Sequence, residues 1–226
     1  MRHLTSVILL GIFFICLGEI SAQSRSKKES TFGLSVLGGV NLSQIDGDNF
    51  VGYDLIGLYA GLRGSMRLGE KMQMRVELLY SQKGSKFEST EGAKQGEKDR
   101  HIKLNYAEIP ILFAYRINRV DAKNALWLEG GISVARMLSS DVKDSDNPTD
   151  KEFIYEDIED EFKPMDFSLV GGFGIDPLPN LGFGIRITWG LAKFYESDEE
   201  FPPSGNVEYV DFLQNYAISI FALYHF

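Results

Sequence analysis

Cysteine, histidine, long apolar runs and positive charge are all scarce in this chain, and each scarcity closes off a class of function. The one cysteine, Cys16, lies within the first 22 residues, so no disulfide framework can staple the rest of the chain. Three histidines are present, His3, His101 and His225, and no zinc spacing or Ser-His-Asp set can be assembled around them. His101 at a loop edge and His225 near the C-terminus are read as ordinary structural residues. No cofactor, no metal and no enzymatic activity are therefore expected. Beyond residue 22 nothing approaches the about 18 consecutive apolar residues of a helical membrane span. With 23 Lys and Arg against 32 Asp and Glu, the net charge is −9 and no basic cluster offsets it. Nucleic acid is excluded as a partner on that ground.

Residues 1–22 read as a secretory signal peptide. Arg2 and His3 precede an apolar run from Val7 to Leu17, and Ser21-Ala22 supplies small residues for cleavage. The run is too short to cross about 30 Å of hydrocarbon, and Phe14-Ile15 ahead of Cys16 are too bulky for lipoprotein processing. Residues 23–31 are a flexible lead-in, and 32–226 form one domain.

What is present is alternation. Tyr216, Ile218, Ile220, Ala222, Tyr224 and Phe226 are apolar at every second position, which is one face of a β-strand. Seven earlier segments read the same way: about Phe32–Val40, Asp54–Leu68, Met72–Ser81, Ile102–Ile117, Ala125–Leu138, Met165–Ile175 and Leu181–Phe194. Connections after the second, fourth and sixth strands are short, and those after the odd strands are long. Short turns on one side and long loops on the other are the rhythm of an outer-membrane barrel. The predicted fold is all-β, a single eight-stranded antiparallel up-and-down transmembrane β-barrel of OmpA/OmpX-like architecture. Pro110 falls inside the fourth strand and predicts a bulge or an irregular register there.

The opposite face carries charge. Arg63, Arg67, Arg75, Glu77, Glu129, Asp166 and Arg186, joined by Glu108, would point into the lumen. An eight-stranded barrel has room there for side chains and little else, so these charges are expected to pair into a structural network. The loop from Ser139 to Pro164 holds ten acidic residues against three lysines, and a solvated loop is favoured over a divalent-cation site. Tyr53, Tyr80, Tyr115, Trp189, Phe194, Tyr195, Tyr224 and Phe226 are candidates for interfacial aromatic girdles.

Three segments carry a family resemblance. Gly33-Leu34-Ser35-Val36-Leu37-Gly38-Gly39-Val40-Asn41-Leu42-Ser43, Tyr106-Ala107-Glu108-Ile109-Pro110-Ile111-Leu112 and Arg186-Ile187-Thr188-Trp189-Gly190-Leu191 resemble the PorT-like outer-membrane β-barrel family of Bacteroidetes-type bacteria. Ala107 and Trp189 depart from that family's pattern, and the acidic loop is enlarged. The resemblance implies an outer-membrane location and, for some members, a link to protein secretion. The implied partners are outer-membrane lipid, the barrel-assembly machinery acting through the C-terminal strand, and envelope or secretion-system proteins. The functional expectation is a non-enzymatic structural or interaction platform. A soluble lipocalin-like carrier, a small outer-membrane pore and a surface enzyme are the alternatives. Alternation alone cannot choose between an apolar face turned to lipid and one turned to a ligand.

Overall fold

A computed structural model of the chain describes residues 31–48, 52–86, 101–120, 124–143, 158–197 and 210–226. The proposed signal peptide lies outside them. Eight strands form: β1 (Phe32–Asp46), β2 (Leu55–Arg67), β3 (Met72–Lys86), β4 (His101–Arg116), β5 (Ala125–Lys143), β6 (Met165–Leu178), β7 (Leu181–Glu196) and β8 (Phe212–His225). Each pairs antiparallel with its sequence neighbour, and β1 pairs with β8, so the sheet closes and has no free edge. In that seam Val36 lies opposite Tyr224 and Gly38 opposite Ala222.

The strands run from 13 to 19 residues, whereas crossing a bilayer takes about 9 to 11. The excess lies mainly at the end of the barrel that carries the long loops. The side-chain period decides what meets lipid. Ile185, Ile187 and Trp189 of β7 are about half exposed, and so are Leu128, Ile132 and Leu169 on the neighbouring strands. The residues between them, Arg186 and Thr188, are buried. Apolar side chains therefore line the outside. The inside is filled by charged and polar side chains together with a packed apolar cluster of Leu37, Tyr59, Leu79, Phe221 and Leu223, unlike the open apolar pocket of a carrier.

Two local expectations need correction. The register across Pro110 stays regular, with Val76 opposite Ile111 and Leu79 opposite Glu108. The shift falls instead between Asn105 and Tyr106, where β4 meets β5. Phe194 and Tyr195 do not join a lipid-facing girdle. Register shifts between Trp189 and Lys193 and between Lys193 and Tyr195 turn both rings inward, where they are buried. Tyr53, Tyr80, Tyr115, Trp189, Tyr224 and Phe226 remain exposed on the outside, as the girdle reading requires.

Candidate functional site

The candidate site is the lumen, built from the inward-facing residues of the strands. Arg186 of β7 is its centre. Its two terminal nitrogens donate to the two carboxylate oxygens of Glu77 at 2.6 and 2.8 Å. Its Nε donates to Glu129 Oε1, and a terminal nitrogen also donates to the Tyr59 hydroxyl at 2.8 Å. Arg63 Nε donates to Glu77 Oε1 at 2.6 Å, and Arg75 donates to Glu129 Oε2 at 2.6 Å. All five residues are buried, none more than 5 % exposed. Bidentate guanidinium–carboxylate geometry of this kind gives the strong, short hydrogen bonds that offset desolvation.

Strand register produces the arrangement. Arg63 and Glu77 are direct partners across β2 and β3. Glu129, Gly172 and Arg186 share a rung across β5, β6 and β7. A Cβ at Gly172 would lie 2.7 Å from Arg186 Cγ, so glycine there clears the path between Arg186 and Glu129. Aromatic rings fill the space beside the cations. The guanidinium carbons of Arg186 and Arg63 lie 4.7 and 5.6 Å from the Phe221 ring, and that of Arg75 lies 4.8 Å from Trp127.

A second polar cluster sits nearer the long-loop end. Lys83 Nζ is 3.0 Å from Glu108 Oε2, and the Ser133 hydroxyl donates to Glu108 Oε1 at 2.7 Å. Asn215 donates to Asp166 Oδ2 at 3.1 Å and to the Tyr106 hydroxyl at 3.0 Å. The three cations of the first cluster meet two carboxylates, and the second cluster pairs Lys83 with Glu108 and also holds Asp166. Across these two clusters four cations therefore face four carboxylates. Above the second cluster the mouth is closed by apolar packing of Ile45, Leu104, Phe194, Tyr195 and Leu213. Ile158 and Phe162, on the chain's return from the acidic loop, fold onto this cap. At the opposite end Trp127 Nε1 donates to Asp176 at 2.7 Å, and His225 bridges Asp176 and Ser35 at 3.3 and 2.8 Å.

Of the eight charges read from the sequence, the structure joins Arg63, Arg75, Glu77, Glu129 and Arg186 in one network. Glu108 and Asp166 belong to the second cluster. Arg67 keeps the inward parity but sits half-buried at the short-turn rim, and the bonds joining the five are made without it. Lys83 and Asn215 were missed, although strand parity would have found both. Among the described residues no group of His, Cys, Asp and Glu is placed to hold a metal ion. Asp144, Asp146, Asp150, Glu152 and Asp157 of the acidic loop lie outside the described residues.

A closed barrel with a lipid-facing wall and a charge-filled interior defines an integral outer-membrane barrel protein. The chain belongs to the outer membrane protein beta-barrel domain family, whose model matches residues 21–196. No curated protein matches it. Among solved structures it is similar to Neisserial surface protein A, at 14 % identity over 87 % of this chain and 98 % of that one, with a TM-score of 0.46. Ail, the attachment invasion locus protein of Yersinia pestis, is 14 % identical over 86 % of this chain and 99 % of its own, with a TM-score of 0.41. OprG of Pseudomonas aeruginosa is 10 % identical over 86 % and 93 % of the two chains, with a TM-score of 0.39. The protein is located in the outer membrane.

Proposed function

We propose that this protein is a non-enzymatic, non-conducting outer-membrane barrel that works through its long-loop end as a structural and interaction platform. The filled lumen carries the reading. Arg186 occupies two carboxylates and a phenol at once, and its side chain is sealed from solvent. Glu77 and Glu129 commit their oxygens to guanidinium donors, which leaves them poorly placed to take a proton from a substrate. A small pore would need a continuous polar path, and apolar packing closes the mouth above the charges.

The long-loop end is assigned to the cell exterior and the short turns to the periplasm. Lipid surrounds the wall, and β8 with its Tyr216–Phe226 outer face is the strand offered to the assembly machinery. The PorT-like segments at Tyr106–Leu112 and Arg186–Leu191 motivate a finer reading as an accessory to protein secretion. A deletion strain with wild-type secretion would remove that finer reading and leave the platform intact. The test of the main reading is conductance in planar bilayers of the folded protein. No stable channels are expected, and reproducible unitary steps would overturn it.

A further inference from the structure

Across β5, β6 and β7 a row of cations sits at the long-loop border of the apolar wall. Arg136 of β5 is exposed and lies opposite Met165 of β6 in the ladder. Lys163 is fixed between the ends of β5 and β7 by its backbone. Its N–H donates to Phe194 O at 2.7 Å, and the next carbonyl, that of Pro164, accepts from Met137 N–H at 2.7 Å. Lys193 of β7 is 2.8 Å from Glu196 Oε1, and Lys163 reaches the other oxygen of the same carboxylate at 3.8 Å. The ammonium of Lys193 also lies 4.7 Å from the Phe212 ring.

Between Lys163 and Lys193 lies a groove of about 500 Å³, with Arg136 beside it on the far side of Met165. Lys163, Lys193 and Glu196 form its polar edge, and Met165, Phe167 and Leu191 form its apolar floor. The floor is continuous with the lipid-facing wall, since Phe167 and Leu191 are about half exposed like the residues beside them. We infer that this groove binds a phosphate-bearing anionic lipid of the outer leaflet, its headgroup on Arg136, Lys163 and Lys193 and an acyl chain along Phe167 and Leu191.

Two observations commit the groove to that occupant. The first is charge. In a chain of net charge −9, Lys163 and Lys193 converge here on the Glu196 carboxylate, Arg136 flanks them across Met165, and Asp211 is a more distant acid acting on Lys193. The Lys–Glu contacts are solvent-exposed, and exposed pairs hold their partners weakly, so a phosphate with several oxygens can take the carboxylate's place. The second is position. Long cationic side chains at the rim of an apolar belt keep their stems on the hydrocarbon and their charge at headgroup level. A soluble anion would use the polar edge and leave the floor empty, whereas a lipid uses both.

The inference rests on the outward assignment of the long-loop end. The binding experiment itself is independent of that assignment. Full-length folded protein in a neutral detergent would be titrated with diphosphorylated lipid A and, in parallel, with its dephosphorylated form, reading bound lipid by native mass spectrometry. The Arg136→Gln, Lys163→Gln, Lys193→Gln triple variant should bind the phosphorylated lipid about a hundredfold more weakly, at about fivefold per cation. Glu196→Gln should bind it more tightly, a change of sign that damage to the fold would not produce. Retained heat-modifiable gel migration confirms that each variant is folded. Unchanged binding by the triple variant, equal binding of the dephosphorylated lipid, or full displacement by inorganic phosphate would each overturn the inference. Protease treatment of intact cells tests the outward assignment by itself, so the two failures are distinguishable.

Discussion

Arg186 shows how much of a small barrel can hang on one side chain. Removing it leaves Glu77 and Glu129 inside the lumen with fewer cations than before, away from water. Breaking a buried pair on one side costs about 3 to 5 kcal/mol, so Arg186→Ala should lower stability by that amount in urea titrations followed by tryptophan fluorescence. Arg67→Ala at the half-exposed rim should change it by about 1 kcal/mol or less. Equal effects at the two positions would show that the network is not the keystone of the lumen. Two adjacent glycines give a second contrast. A Cβ at Gly172 would meet Arg186 Cγ and Ile185 O at 2.7 Å, whereas a Cβ at Gly171 meets nothing within 4 Å. Gly171→Ala is therefore expected to be neutral or to stabilise by about 0.4 to 1 kcal/mol through the unfolded chain. Gly172→Ala should destabilise by about 1 to 3 kcal/mol, because backbone as well as side chain must give. The same unfolding titration reads both. That charges face inward was legible from parity, but their partners were not. Arg186 and Glu77 are 109 positions apart, and only the stagger of the closed sheet brings them together.

At the scale of the strand, alternation located all eight strands, and what it missed has a local cause. β3 continues to Lys86, beyond Ser81 where the alternation points to its end. Lys83 and Ser85 keep the inward parity, but the outward positions are Gln82, Gly84 and Lys86, so the apolar signal stops where the strand does not. Lys83 and its pairing with Glu108 were lost with that segment. β7 fails for another reason, since its register shifts carry Phe194 and Tyr195 inward together. β8 has no such irregularity against β1, and its outer face is continuous from Tyr216 to Tyr224. Tyr224 and Phe226 stack edge-on at 5.4 Å on the outside, and Phe226 N–H donates to Leu34 O at 3.1 Å across the seam. Replacing both rings by Ser keeps that backbone bond and the whole lumen. Refolding in detergent should therefore be nearly unchanged, while the assembled fraction in cells falls several-fold, read as the heat-modifiable band. Equal losses in the two settings would assign these rings to stability alone, against recognition by the assembly machinery.

On the scale of the whole molecule, the proposed seal of the lumen has two layers, held by different physics. The Arg–Glu network, packed against Leu37, Leu79, Phe221 and Leu223, fills it nearer the short turns, and the apolar cap packs at the long-loop mouth. Either of two barriers in series is enough to block the path, so opening one leaves the other in place. Arg186→Ala should therefore remain silent in planar bilayers despite its lost stability. A cap variant such as Phe194→Ser with Leu213→Ser should also remain silent, because both residues pack in the cap and neither touches the ionic network. Combining the changes removes both barriers and is expected to yield channels. Those channels should favour cations, because loss of Arg186 leaves Arg63, Arg75 and Lys83 facing the carboxylates of Glu77, Glu108, Glu129 and Asp166. Selectivity measured as a reversal potential reads that preference. Conductance in either parent variant would mean that one barrier alone closes the barrel. Silence in the combined variant, with its folded gel mobility retained, would mean that the remaining lumen side chains, including Leu37, Leu79, Phe221, Asn41 and Ser219, are themselves enough to fill it.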